Sequence, residues 1–365
     1  MEPIAPILPN NIPAAPLQDK RDIRSLNLPQ IEQALVAWGE PRFRAKQLYE
    51  WLWVKCAANF EAMSNLPKSL RERLKAEFSF YTLQEDQVQR SLDGTVKSRW
   101  TTHDGHRIES VLIPVPDDDR YTVCVSTQVG CSLTCKFCAT GRMGRKRNLE
   151  AAEIFDQVVG VQRQSLAAFE HGLTNVVYMG MGEPLLSYAN TMESIARLTA
   201  PLPEGLGMSA RRITVSTAGI AKMIRKLADD GFRSNLAVSL HAADDQKRNE
   251  IMPINESNNL EALMQSLEYF YQKTRNRISY EYIAFERFND SLEDAARLVQ
   301  LCRRRFPVRV NIIEYNPIDG GLFEKSDENR LNIFVAHLAR EGVTVTVRRS
   351  RGKDIDAACG QLANK

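Results

Sequence analysis

Three cysteines crowd into one loop, Cys131-Ser-Leu-Thr-Cys135-Lys-Phe-Cys138, and this loop constrains the chain more than any other stretch. The apolar run from Tyr121 to Val125 precedes it, which reads as a strand ending in a ligand loop. Thiolates are the usual anchors of iron–sulfur clusters. A four-iron cubane held by three sulfurs keeps one iron open to a small molecule. A structural zinc site needs a fourth Cys or His at finger spacing, and His103 and His106 are distant in sequence. Ferredoxin-like electron transfer needs a fourth thiolate, and none follows closely. Inert buried thiols are a poor account of so tight and polar a run.

A chain of 365 residues exceeds the usual single domain, so one large domain with a smaller attachment is expected. No stretch approaches the ~20 apolar residues of a membrane span. Residues 1–20, with Pro3, Pro6, Pro9 and Pro13, lack the charged and apolar regions of a signal peptide and read as a disordered leader. Seven cysteines, three of them in one loop, argue against a secreted disulfide framework and for a reducing cytoplasm. The net charge of +3, from 48 basic and 45 acidic residues, neither requires nor excludes nucleic acid. Local basic runs bear on that question if they ring one cavity: Arg142, Arg145, Lys146 and Arg147; Arg303 to Arg305; and Arg348, Arg349, Arg351 and Lys353.

Leu35, Trp38, Leu48, Trp51, Leu52, Leu66, Leu70, Leu74 and Phe78 recur at helical spacing and predict a helical accessory domain over 21–85. The aromatic and basic mix from Phe43 to Trp53 reads as a packed amphipathic helix or as an RNA contact. Asp93-Gly94 and Asp104-Gly105 separate β-rich runs and predict a small meander over 86–115, with Glu109 in its last strand. From 116 to 350, β-branched runs near 121–126, 175–179, 213–217, 235–240, 278–284, 308–314 and 343–348 alternate with helical stretches. About six βα units imply an α/β fold in which a parallel sheet curls into a partial barrel, with its chemistry at the C-terminal strand ends. Residues 351–365 form a tail.

Val177-Tyr-Met-Gly-Met-Gly182-Glu183-Pro184 reads as a strand running into a glycine-rich turn with one carboxylate. A plain βα turn explains the glycines, which let backbone approach a ligand; it leaves the acid over, suited to an ammonium group. Ser216-Thr-Ala-Gly219, Ser239-Leu-His241 and Asn316 in Tyr315-Asn-Pro317 each end a strand with polar groups. Each one either caps the next helix or bonds ribose and carboxylate oxygens; three at corresponding positions favour a ligand. Cys124 lies in the strand before the loop, and Cys359 lies in a tail of acids and small residues that needs no core, so its thiol is expected to be exposed and reactive. Cys56 and Cys302 read as ordinary buried residues.

In this order, Cys131-x3-Cys135-x2-Cys138, Gly182-Glu183-Pro184, the three strand-end motifs and Arg351-Gly-Lys-Asp-Ile-Asp-Ala-Ala-Cys359-Gly-Gln-Leu362 resemble the RlmN/Cfr family of radical S-adenosylmethionine (SAM) RNA methyltransferases. The likeness runs from about residue 40 to the end, and the tail is more similar to the RlmN branch. Arg145 and Glu314 depart from the family pattern, which often has an aromatic residue and a proline there.

The resemblance implies a radical SAM barrel with a 4Fe-4S cluster on Cys131, Cys135 and Cys138, whose open iron binds the amino and carboxylate groups of SAM and delivers one electron. It implies SAM contacts from Gly182, Glu183, Ser216, Ser239, Leu240, His241 and Asn316. It further implies two SAM molecules per turnover: one methylates Cys359, and the other yields a 5′-deoxyadenosyl radical that takes a hydrogen from the S-methyl group. The resulting methylene adds to carbon 2 of an adenosine in large-subunit ribosomal RNA or in a subset of tRNAs. Cys124 then attacks the Cys359 sulfur, forming a transient disulfide and releasing the RNA. Glu109 matches the family's proton acceptor, with Cys124 a rival for that proton. An electron donor such as flavodoxin or ferredoxin, a monomeric state and a flipped-out base are also implied. Methylation at carbon 8 by the same machinery, and an RNA-binding protein whose cluster is structural or redox-sensing, stay open as alternatives.

Overall fold

The computed structural model describes residues 20–364, so the expected leader lies outside the described residues except for Lys20. The chain divides into two units, Met1–Leu52 with Ala57–Tyr81, and Trp53–Cys56 with Thr82–Lys365. The first unit is built on α1 (Leu28–Ala37), α2 (Phe43–Trp53, whose last residue belongs to the second unit) and α3 (Lys68–Glu77). Asn27 and Gln30 close a capping box at the start of α1, each side chain accepting the other's backbone N–H at 3.0 Å. The helical periodicity lands where expected: Ile31, Leu35, Leu48, Leu52, Leu70 and Leu74 are buried. Trp38 lies against Phe78 with Arg73 over its ring, 4.5 Å from the centroid.

The second unit opens with β1 (Gln84–Arg90), β2 (Val96–Thr101) and β3 (Arg107–Val115), joined at Asp93-Gly94 and Asp104-Gly105 with both glycines at positive φ. The first strand begins inside the range expected for the helical domain, because Gln84 already pairs with Thr101. After β4 (Arg120–Cys124) and the small ribbon β5 (Gln128–Val129) with β6 (Arg147–Asn148), the chain alternates. It runs through α4 (Ala151–Phe169), β7 (Asn175–Tyr178), α5 (Tyr188–Thr199), β8 (Ile213–Thr217), α6 (Ala221–Asp229) and β9 (Asn235–Ser239). It continues with α7 (Asp245–Ile251), α8 (Leu260–Thr274), β10 (Ile278–Ala284), α9 (Leu292–Cys302), β11 (Val308–Glu314), α10 (Glu328–Arg340) and β12 (Thr344–Arg348).

Among the described residues the large sheet runs β1-β2-β3-β4-β7-β8-β9-β10-β11-β12. Every pair from β4 to β12 is parallel, each crossover carries at least one helix, and β1 and β12 stay unpaired edges, so the barrel is partial. The meander is not a separate layer. Its last strand pairs antiparallel with β4, so it extends the barrel wall.

Strand alternation decides which side chains face the lumen. Tyr280 donates to the Met264 sulfur of α8, and Tyr282 lies on Phe334 of α10, so Ser279, Glu281 and Ile283 face inward. In the meander Trp100 Nε1 donates to Ser110 Oγ at 2.7 Å and Ser98 bonds Gln164 of α4, so Lys97, Arg99, Glu109 and Val111 face inward. At the C-terminal mouth Phe137 of the cysteine loop packs with Ile283, Phe285, Ile313 and Tyr315.

Helix α4 reaches this wall through Gly160, where a Cβ would stand 2.4 Å from the Trp100 ring. Gly160→Ala should therefore lose about 1–3 kcal/mol to overpacking, although alanine favours helix by about 1 kcal/mol. Urea unfolding reads this, and a variant as stable as the parent would contradict the packing.

Candidate active site

The cysteine loop leaves β4 and is held by its own backbone: Cys138 N–H donates to Cys135 O at 3.1 Å and Leu133 N–H to Cys131 Sγ at 3.4 Å. Lys136 N–H donates to Ile251 O at 3.0 Å, tying the loop to the end of α7. Its start needs Gly130, at φ 72°, where a Cβ would meet Gly144 O at 2.0 Å. Burial pushes the Cys131 thiol up to about 11, with Cys138 adding to the effect. Cys135 goes higher still through burial, then through Cys138 and Cys131. The thiols feel one another, so holding them as thiolates requires a cation between them. Among the described residues no three His, Cys, Asp or Glu side chains converge to hold a single ion, and thiolates serving separate corners of a cluster have no need to. His103 turns to Glu153 and His106 to Asp104, away from any finger with these cysteines.

The other motifs gather at neighbouring strand ends. Gly182, at φ 97°, passes so close to Gln128 that a Cβ would lie 2.5 Å from it, and Glu183 N–H donates to Gln128 Oε1 at 2.9 Å. The buried Glu183 carboxylate accepts Ala218 N–H at 2.8 Å and Leu185 N–H at 3.1 Å; burial pushes it up to about 7 against those bonds. Ser216 and Ser239 face each other with 3.5 Å between hydroxyls. Neither caps a helix, since Ile220 and Asp244 precede α6 and α7. His241 is in the left-handed region at φ 56°, packs edge-on against Phe137, and accepts Ile283 N–H at Nδ1. Burial, then Arg248, hold its pKa near about 3, so the ring is neutral. Leu240 is fully buried, donating its N–H to Glu281 O and accepting Arg248 Nε at its carbonyl.

The tail crosses the mouth and brings Cys359 to these groups. Ala139 N–H donates to Gly360 O at 2.8 Å and Thr140 Oγ1 to Leu362 O at 2.6 Å, so the cysteine loop itself holds the tail. Asn316 Nδ2 reaches Cys359 O at 3.5 Å, and Gln361 donates to Pro317 O at 3.0 Å. Asp93 accepts Gly352 N–H, Ser91 donates to Asp354, and Lys353 pairs with Glu314 at 3.0 Å. Glu109 Oε2 accepts the N–H groups of Ala363 and Asn364 at 2.9 and 3.0 Å. Its Oε1 is buried without a hydrogen bond, with Lys97 Nζ at 3.5 Å as an ion-pair partner.

Cys359 is open to solvent, as expected, yet burial among surrounding atoms, then Cys138 and Glu281, push its thiol up to about 12. Cys124 is buried and also rises to about 12, through burial and then Cys359. Both are free thiols in this structure. Cys56 and Cys302 are half-buried rather than buried.

Several partners carried no sequence signal. Arg248 looks like any basic residue of a short helix, yet it is fully buried and binds the carbonyls of Ala218, Ser239 and Leu240, bracing two strand-end motifs. Lys97, Asn311 and Glu281 read as ordinary strand residues until the register turns them inward. The basic runs separate: Arg303 and Arg304 pair with Glu341 and Glu261, and Arg147 pairs with Asp104 and Glu153. Arg145 and Lys146 stay exposed beside the cysteine loop.

Residues 21–79 match the model of the ribosomal RNA large subunit methyltransferase N-terminal domain, and residues 125–299 that of the radical SAM superfamily. A probable dual-specificity RNA methyltransferase RlmN of Christiangramia forsetii is 52% identical over 346 residues, covering 95% of this chain and 97% of the relative. The dual-specificity RNA methyltransferase RlmN of Nautilia profundicola is 40% identical, covering 92% and 96%. A crystal structure of a radical SAM methyltransferase from Sphaerobacter thermophilus superposes with a TM-score of 0.88 at 40% identity, covering 94% of this chain and all of the other. No helix among the described residues is long and apolar enough to cross a membrane.

Replacing Arg248 with Met would remove a donor from Ala218 O, Ser239 O and Asn255 Oδ1, while Leu240 O keeps the Ala242 N–H. Urea unfolding of the cluster-free protein should lose about 3 kcal/mol or more. A loss under about 1 kcal/mol would mean that Arg248 does not brace the strand ends.

Proposed function

Because the chain belongs to the RlmN family of radical SAM RNA methyltransferases, we propose that it methylates carbon 2 of an adenosine in large-subunit ribosomal RNA and in a subset of tRNAs, through a methyl group carried on Cys359. The observation that carries the reading is the tail, bonded to the cysteine loop at Ala139 and Thr140 and to Glu109 at its end, with Cys359 near enough to feel the charge of Cys138 and to act on Cys124.

Cys131, Cys135 and Cys138 would hold a 4Fe-4S cluster; their donor set of soft, mutually repelling thiols suits it. When bound, the cluster supplies the electron that cleaves SAM. Glu183 takes the SAM ammonium with the lone pairs its backbone bonds leave free, and a cation there lowers its raised pKa. Gly182 gives the ligand a close approach to backbone. Ser216 and Ser239 offer hydroxyls to SAM, while Leu240, neutral His241 and Asn316 set the walls.

Once deprotonated, the Cys359 sulfur attacks the methyl carbon of one SAM and displaces S-adenosylhomocysteine, for which its open side gives access. A hydrogen atom passes from that methyl group to the 5′-deoxyadenosyl group of the second SAM, which leaves as 5′-deoxyadenosine; the remaining methylene bonds carbon 2 of the adenine, and the adduct gives back the one electron spent on SAM as it loses its ring proton. Glu109 Oε1, which has no hydrogen-bond donor, is free to take the ring proton, while Oε2 holds the tail. Cys124 then attacks the Cys359 sulfur, so a sulfur–sulfur bond replaces the sulfur–carbon bond and the RNA departs. That disulfide is transient and needs outside reductant for the next cycle. Exposed Arg145 and Lys146 grip RNA phosphates beside the cysteine loop, and the helical unit is an RNA contact of its own. A small electron-transfer protein such as flavodoxin or ferredoxin serves a monomeric enzyme in the cytoplasm.

Cys359→Ala is expected to abolish RNA methylation while 5′-deoxyadenosine formation persists. Cys124→Ala should trap a covalent protein–RNA adduct visible on a denaturing gel. Full methylation by the first variant refutes the carrier, and release of RNA by the second refutes the resolving thiol. Digestion of the RNA and comparison with 2-methyl- and 8-methyladenosine separates the carbon 2 reading from the carbon 8 alternative.

A further inference from the structure

A third carboxylate, besides Glu183 and Glu109, lies inside the barrel, and the reaction just described gives it nothing to do. Glu281 sits in the middle of β10, 4% exposed, with its neighbours Tyr280 and Tyr282 turned out to the helices. Its Cα pairs with Ser239 on one side and Asn311 on the other, so it occupies the same layer as Ser239. Ile283, two residues on, packs against Phe137 of the cysteine loop, which sets Glu281 one layer below the loop.

The two oxygens are treated differently. Oε1 accepts Ser279 Oγ at 2.8 Å and Asn311 Nδ2 at 2.7 Å, which fixes the carboxylate plane. Oε2 is buried and receives no hydrogen bond; Arg348 Nη1 stands 3.8 Å away, which balances charge but leaves the acceptor unfilled. A buried acceptor left unmade costs free energy, so a donor from a ligand is the expected partner.

Among the buried carboxylates, Glu183 and Glu281 act on different thiols. Glu183 acts on Cys131 and Cys135, on the cluster side. Glu281 acts on Cys359, on the side of the methyl carrier. An adenine that presents carbon 2 to a carbon on the Cys359 sulfur also presents its amino group nearby, since C2 and C6 flank the same ring nitrogen.

We propose that Glu281 reads the target base: Oε2 accepts a hydrogen bond from the exocyclic N6 amino group of the adenine, and repels bases with an oxygen at position 6. The proposal rests on the reading of the chain as an adenine methyltransferase. Because Ser279 and Asn311 are both donors, a glutamine at this position must turn its own oxygen toward them. Its amide NH2 then faces the base, and an acceptor becomes a donor.

The test uses the reconstituted holoenzyme and an RNA hairpin with either adenosine or purine riboside, which lacks the N6 amino group, at the target position. Wild-type kcat/KM should fall roughly 10- to 100-fold on purine riboside, the scale of one lost base-edge contact. Glu281→Gln should be slow on adenosine and indifferent between the two RNAs, while SAM still methylates its Cys359, read by peptide mass spectrometry. Equal wild-type rates on the two RNAs overturn the proposal without any variant. So does a Glu281→Gln enzyme that keeps the wild-type preference, or one whose Cys359 methylation falls in step with RNA methylation, which would assign the carboxylate to SAM. A wild-type enzyme that leaves adenosine unmodified fails at the earlier reading instead.

Discussion

The structure depends on a short set of hydrogen bonds between the tail and the rest of the second unit. An open barrel leaves a gap between its edges and a mouth ringed by polar strand ends, and the tail crosses that mouth. The bonds from Ala139 and Thr140 to the carbonyls of Gly360 and Leu362 tie it to the cysteine loop. At the other end Glu109 receives two backbone N–H groups that would otherwise be orphaned. A segment of small residues and acids has little apolar surface to bury, so backbone bonding and the Lys353–Glu314 pair hold it in place. The departure at Glu314 from the family's usual proline thereby finds a local reason: it supplies the carboxylate that Lys353 and Lys325 share.

The interior chemistry follows from burial. Carboxylates in the lumen stay there because each has at least one oxygen bonded by donors, backbone for Glu183 and Glu109, side chains for Glu281. Each also offers something to a visitor: a spare lone pair on Glu183, an unfilled oxygen on the other two. The surrounding protein pushes up both the buried Cys124 thiol and the more open Cys359 thiol, so the two rest as thiols rather than thiolates. On the proposed chemistry this protects them between turnovers, and a base or a bound cation must act before either becomes a nucleophile.

Much of this was legible from residue order. The β-branched runs give the parallel strands, because most are buried or half-buried on both faces and bounded by helical spacing, while the edge strand β12 is largely exposed. The two Asp-Gly pairs give the hairpins. Spacing could not tell that the meander joins the barrel wall, since that rests on Val111 pairing with Cys124 across a turn. Nor could it tell the inward face of β2, β3 or β10, because a one-residue slip of register reverses every side chain. Glu281 and Lys97 were invisible for that reason, and Arg248 because a buried arginine and a surface one look alike in a helix. The capping reading of Ser216 and Ser239 failed because other residues, Ile220 and Asp244, precede the helices.

The central claim is that Cys359 carries the methyl group and surrenders a hydrogen from it before the RNA is touched. Incubation with SAM bearing a CD3 methyl group, followed by mass analysis of the adenine product, tests this most directly. The account predicts a product methyl of two deuterium atoms and one hydrogen, with the missing deuterium in 5′-deoxyadenosine. An intact CD3 group on the base would mean direct transfer from SAM and would contradict it.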